Sequence, residues 1–168
     1  MNQRRIRPRI KIRPQPVDRL IELAALAALL LIIILPAVYY RDLPVQIPVH
    51  FSFSGEPDSL GGKGIIWRIP LMSLILYIGL TLANRYPHTF NYPVRITEEN
   101  AARLYRLATR TISILKTLLM CLFLYITVSI IWIGVGRSDK FNAAVLPTII
   151  ILTLSLCGMM IYKMIKNK

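Results

Sequence analysis

Four residues able to do chemistry fall within one short stretch: His50, Glu56, Asp58 and Lys63. Imidazole nitrogen and carboxylate oxygen are ligands suited to zinc or manganese. A carboxylate within reach of a substrate proton can also act as general base in hydrolysis. Each chemistry needs more than this stretch supplies. A metal shell built on His50, Glu56 and Asp58 would have to be completed by backbone or water. Hydrolysis would lack a nucleophile elbow, a second histidine and an oxyanion glycine pattern. No catalytic residue, cofactor or resident metal is therefore assigned, and His50, Glu56 and Asp58 stand as the metal candidates. Two other roles fit the same residues. In a structural role, His50 and Asp58 tie the chain by hydrogen bonds to backbone N–H groups, and Lys63 pairs with a carboxylate or a lipid phosphate. In a recognition role, the stretch meets an external partner such as a peptide.

These residues sit in a connection, residues 41–64, whose first half is extended. Val45, Ile47, Val49, Phe51 and Phe53 alternate with polar residues or proline, and Pro44 and Pro48 exclude a helix. Its second half holds Gly55, Pro57, Gly61, Gly62 and Gly64, a dense run of turn signals. A connection this long is often functional. Its apolar alternation predicts that it folds back onto the ends of neighbouring helices.

Leu43-Pro44, Ile47-Pro48-Val49-His50-Phe51, Gly55-Glu56-Pro57-Asp58 and Gly61 with Lys63 resemble the hallmark of the bacterial domain-of-unknown-function family 1648. A second stretch is similar to what members carry before their third helix. It comprises Asn91, Pro93, Thr97 and Asn100, with Tyr105-Arg106-Leu107 beyond. The likeness covers residues 20–135 and implies the membrane domain found at the N-terminus of SdpI-type immunity and signalling proteins. Ser52 stands where members usually carry asparagine. The SdpI type also continues into a further membrane half, which these 168 residues do not include.

The elements that must position these residues are apolar runs at 20–39, 65–83, 117–135 and 143–161. A helix rises about 1.5 Å per residue, so roughly 20 apolar residues cross a hydrocarbon core about 30 Å thick. The expected fold is all-α: a polytopic membrane protein with four transmembrane helices and an ordered loop, 41–64, outside. It divides into a basic arm (1–19), a three-helix domain (20–135), and a fourth helix with its tail (136–168). The first run is longer than a signal-peptide core and lacks a clear cleavage pattern, so it is read as retained.

Charge gives the orientation. The chain has 21 Lys and Arg against 8 Asp and Glu, a net charge of +13. Sixteen of the bases fall in the arm, the second connection and the tail, against five in the other two connections. Bases are retained on the cytoplasmic side, so both termini are expected inside a bacterial cytoplasmic membrane. The same distribution assigns the excess charge to anionic lipid and excludes a nucleic-acid partner. Tyr39, Tyr40, Trp67 and Trp132 would sit at the outer interface. Cys121 and Cys157, one in each of two spans, read as small apolar fillers.

In the second connection, Thr97 followed by Glu98 and Glu99 predicts a helix start. The segment 97–112 then reads as an amphipathic helix on the inner leaflet, with Ala101, Leu104, Tyr105, Ala108 and Ile112 on one face and Arg103, Arg106 and Arg110 on the other. Glu22 and Lys116 fall near cytoplasmic ends and are expected to snorkel to water. With the middles of the spans uncharged, an ion-coupled transporter is disfavoured. The function expected is a non-enzymatic membrane protein of the signalling or immunity kind, acting through the outer loop. The alternatives are a membrane-embedded metal-dependent enzyme using His50, Glu56 and Asp58, and a small subunit of a larger complex. Partners admitted are the bilayer, an external peptide, a cytoplasmic protein, and homo- or hetero-oligomeric copies.

Overall fold

The structure is a computed structural model that describes residues 7–166. Arg4, Arg5 and Lys168 of the charge count lie outside the described residues. Four α-helices carry the described residues: α1 (Pro16–Tyr39), α2 (Arg68–Ala83), α3 (Glu98–Gly134) and α4 (Val145–Lys166). All four lie in segments long and apolar enough to cross a membrane. Pro16 opens α1, where its fixed φ suits the first turn and its missing N–H costs nothing. A 3-10 turn over Lys63–Trp67 leads directly into α2. The turn lengthens a 16-residue helix to a segment of about 34 Å, enough for a crossing.

The chain is mostly helical but not all-α. Between α1 and α2 lies an antiparallel hairpin of β1 (Gln46–Phe51) and β2 (Pro57–Gly62). The apolar alternation of the first half is that of a strand, but it does not persist. Register shifts around His50 break the ladder, so Ile47 and Pro48 are buried in succession while Val49 turns outward.

The second departure is α3, a single helix of 37 residues. At about 55 Å it is nearly twice the length of a hydrocarbon core. Thr97 caps it as expected: its Oγ1 accepts from the Asn100 backbone N–H at 3.3 Å, and its own N–H donates to Asn100 Oδ1 at 2.9 Å. The apolar face of 97–112, expected against lipid, is covered by protein. Leu104 and Ala108 are buried with Met164 of α4, and Phe90, Tyr92, Val94 and Ile96 of the preceding connection pack on them. The chain supplies its own cover because the connection doubles back over the helix it has just entered.

The core is therefore in three layers along α3. One layer lies under the hairpin, built on Leu43, Ile47, Ile66, Ile130 and Ile131. A middle layer holds Ala25, Ala28, Leu29, Ile32 and Met120. The third is the cluster around Leu104 at the opposite end. The close helix approach in α1 uses Ala25 with Ala28, while Ala24 is exposed. Gly79 of α2 faces open space.

Candidate functional site: a clamped hairpin and a buried ion pair

Each conspicuous residue of the 41–64 connection has a local reason for its place. The bulges bring His50 and Asp58 together on the exposed side of the hairpin, with Nδ1 and Oδ1 2.6 Å apart. Asp58 thus meets the imidazole itself, where bonds to backbone N–H groups were expected. Glu56 turns away and pairs with Lys140 of the α3–α4 connection at 2.8 Å. The trio considered for a metal is consequently split between two ion pairs. The Lys140 ammonium holds the Glu56 carboxyl below its usual range, and Glu56 in turn holds Lys140 above its own.

Among the described residues Lys63 meets no carboxylate. Its ammonium donates to the backbone carbonyls of Tyr40 (3.2 Å) and Leu43 (3.4 Å) and lies 4.8 Å from the centre of the Tyr40 ring. Tyr40 is the C-terminal cap of α1. Lys63 therefore satisfies carbonyls left open where that helix ends and neutralises the negative end of its dipole. Pro48 is buried, and Gly61 lies against Val49 and Ile65 so closely that a Cβ would be 2.7 Å from Ile65 Cδ1.

Gly55 is the hinge of the arrangement. It is buried with φ +84°, and a Cβ there would fall 1.8 Å from the Phe141 carbonyl oxygen. Its own carbonyl accepts from the Phe141 N–H at 2.8 Å. The Phe141 ring stacks on Phe51 at 4.9 Å and meets Tyr125 of α3 at 5.1 Å. The Tyr125 hydroxyl accepts from the Asn142 N–H at 2.9 Å. The hairpin is thus held by a backbone bond, stacked rings and an ion pair to the connection that leads into the fourth helix. Phe53 in the turn is wholly exposed, and Leu60 and Val49 of the strands are exposed as well.

At the other end, Asn100 reaches back to the Arg95 carbonyl at 3.0 Å and closes the turn before α3. Asn91 and Pro93 stand exposed. Arg7 donates to the carbonyl of His88 at 3.1 Å and lies over the Tyr92 ring, which ties the arm to this connection. Burial pushes the Tyr92 hydroxyl above its ordinary pKa.

A second cluster lies inside the bundle. Lys116 does not snorkel. Its side chain is 1% exposed and donates to both oxygens of Glu22 at 2.8 Å and to Thr81 Oγ1 at 2.8 Å. Tyr77 donates to Glu22 Oε1 at 2.6 Å, and its ring lies 4.3 Å from the ammonium. Three helices contribute to this cluster, one charge each from α1 and α3 and two hydroxyls from α2. One to two turns away along α3, Arg110 donates to Asp18 and Gln15, both at 2.6 Å. Asn84 donates to Ser113 Oγ at 3.0 Å and to the Thr109 carbonyl at 3.2 Å. Asn84 Oδ1 and the Tyr105 hydroxyl oxygen have no hydrogen-bond partner among the described residues. The available signal for the ion pair was an acid and a base at the same end of two predicted spans. An uncompensated charge there is costly, and opposite signs at one depth pair.

Residues 27–74 match the family model described as a domain of unknown function, DUF1648. The family match covers the hairpin and includes neither Glu22 nor Lys116. That stretch runs from within α1 through the whole hairpin into α2, so it contains Pro48, His50, Gly55, Glu56, Asp58, Gly61 and Lys63. A curated relative, an uncharacterized protein of Archaeoglobus fulgidus, is 33% identical over 76 residues, covering 40% of this chain. The match spans 42% of that relative's length. No solved structure matches.

Proposed function

We propose that this DUF1648-bearing chain is a non-enzymatic integral membrane protein that recognises an extracytoplasmic peptide through the hairpin. Both termini lie in the cytoplasm, and the signalling or immunity role follows the SdpI-type resemblance. The observation that carries the reading is the contrast at the hairpin. Its base is fixed to the ends of α1 and α3, and its turn is fixed through Gly55 to the α3–α4 connection, while Phe53 of that turn projects wholly exposed. A rigid apolar tip loses little conformational entropy on binding, so its contact area converts into affinity. The exposed His50–Asp58 pair on the same hairpin offers a polar complement. Splitting Glu56 from that pair weighs against the metal-dependent alternative.

The test is to challenge cells with a panel of membrane-active peptides, with the gene intact, deleted, or carrying Phe53→Ser. Folding yield is measured for each protein. The proposal expects a peptide whose effect changes on deletion, and Phe53→Ser should reproduce the deletion at full yield. Unchanged sensitivity across the panel, or full protection by the Phe53→Ser variant, would overturn it. A second reading, a small subunit of a larger membrane complex, draws support from α4, where among the described residues Met164 is the buried one.

A further inference from the structure

The basic face of α3 next to the Arg110–Asp18 pair forms an open cavity of about 410 Å³, lined among the described residues by Ala102, Arg103, Arg106, Leu107 and Arg110. We propose that this cavity binds the phosphate of an anionic glycerophospholipid. The lining residues follow helical spacing, so they form one stripe, with Leu107 at its edge packed against the Leu104 core. Arg110 is already oriented, since its Nε is fixed on Asp18 and its Nη2 on Gln15. Those two bonds leave Nη1 and one Nη2 hydrogen to turn toward a ligand. Arg106 is exposed one turn away. Guanidinium forks match phosphate oxygens in pairs.

Height along the helix selects the ligand class. Arg110 is level with the start of α1, through Asp18 and Gln15, and close to the end of α2, where Asn84 bonds Ser113 and Thr109. Apolar helix ends mark the border of the hydrocarbon, and phosphates lie just outside it. Arg106 is about 6 Å further out. Leu107 and Ala102 supply an apolar wall for the glycerol and the upper acyl chain. Glu99, one turn before Arg103, faces the outer end of the stripe and places the binding centre at Arg106 and Arg110.

The experiment uses the purified full chain in neutral detergent with phosphatidylglycerol, phosphatidylcholine and sn-glycerol 3-phosphate as probes, bound lipid being counted by native mass spectrometry. Phosphatidylglycerol should bind saturably and at least fivefold tighter than phosphatidylcholine, and Arg106→Gln should weaken it about fivefold. Arg95→Gln, on the same end but off the stripe, should leave it unchanged. Equal binding of the two lipids, or equal losses from Arg106→Gln and Arg95→Gln, would overturn the proposal. Glycerol 3-phosphate binding as tightly as the lipid would overturn the lipid as the source. If Arg106→Gln fails to fold, Arg106→Lys decides: weaker phosphatidylglycerol binding at unchanged phosphatidylcholine binding supports the fork, and unchanged binding overturns it.

Discussion

Removing either member of the Glu22–Lys116 pair should destabilise the bundle, and by unequal amounts. Glu22→Leu strands an ammonium that is 1% exposed, with Thr81 and the Tyr77 ring as its remaining company. Breaking a buried pair this way costs about 3–5 kcal/mol. Lys116→Met strands a carboxylate whose side chain is 39% exposed and still accepts from Tyr77. Partial solvation and a surviving charge-assisted bond reduce that loss to about 1–3 kcal/mol. Combining the two substitutions removes both charges and fills the space with apolar atoms, so the double variant should return to within about 1.5 kcal/mol of the parent. The assay is reversible unfolding in mixed detergent–dodecyl sulfate micelles, followed by circular dichroism and analysed as a double-mutant cycle. Additive losses would refute a direct pair. A larger loss from Lys116→Met than from Glu22→Leu would refute the burial argument.

The clamp yields further predictions. Gly55→Ala places a Cβ against the Phe141 carbonyl at a positive φ. It should cost about 2 kcal/mol or more and release the hairpin, read as lost hydrogen-exchange protection at the Phe141 amide with helix content unchanged. Lys63→Met uncovers carbonyls at the end of α1 and should lower stability by about 1 kcal/mol in the same unfolding assay. The Glu56–Lys140 link should be pH-dependent at both extremes. The Glu56 carboxyl is held below its ordinary 4.5, so its contribution is complete above that value and is lost as pH falls through the lower folded value. The Lys140 ammonium is held above its ordinary 10.5, so its contribution is complete below that value and is lost as pH rises through the higher folded value. Rate-corrected protection at Phe141 should therefore be flat between these limits and fall outside them.

The spans were legible because each is a long apolar run, and helix boundaries agreed with them to within a few residues at most ends. The cap at Thr97 was legible for a local reason as well, since a hydroxyl before two acids specifies a helix start whatever surrounds it. Non-local facts were not. The alternation in 45–53 announced an extended segment, but its partner strand, Pro57–Gly62, has little strand propensity and is held by pairing alone. The Leu104 face of α3 has the same periodicity whether it meets lipid or protein, and the cover comes from Tyr92, Val94, Ile96 and Met164. Lys63 as a cap for α1 and Lys140 as the partner of Glu56 depend on contacts across the fold, to which the spacing of residues along the chain is blind.

For the hairpin to act as a receptor, it and the C-terminal end of α4 must face opposite sides of one membrane. With Cys121 and Cys157 replaced by alanine, single variants Phe53→Cys and Lys166→Cys can be treated with a membrane-impermeant maleimide in intact cells and again after permeabilisation. The prediction is labelling at position 53 in intact cells and at position 166 after permeabilisation alone. Labelling of both positions from the same side would contradict the four-crossing arrangement and the recognition role built on it.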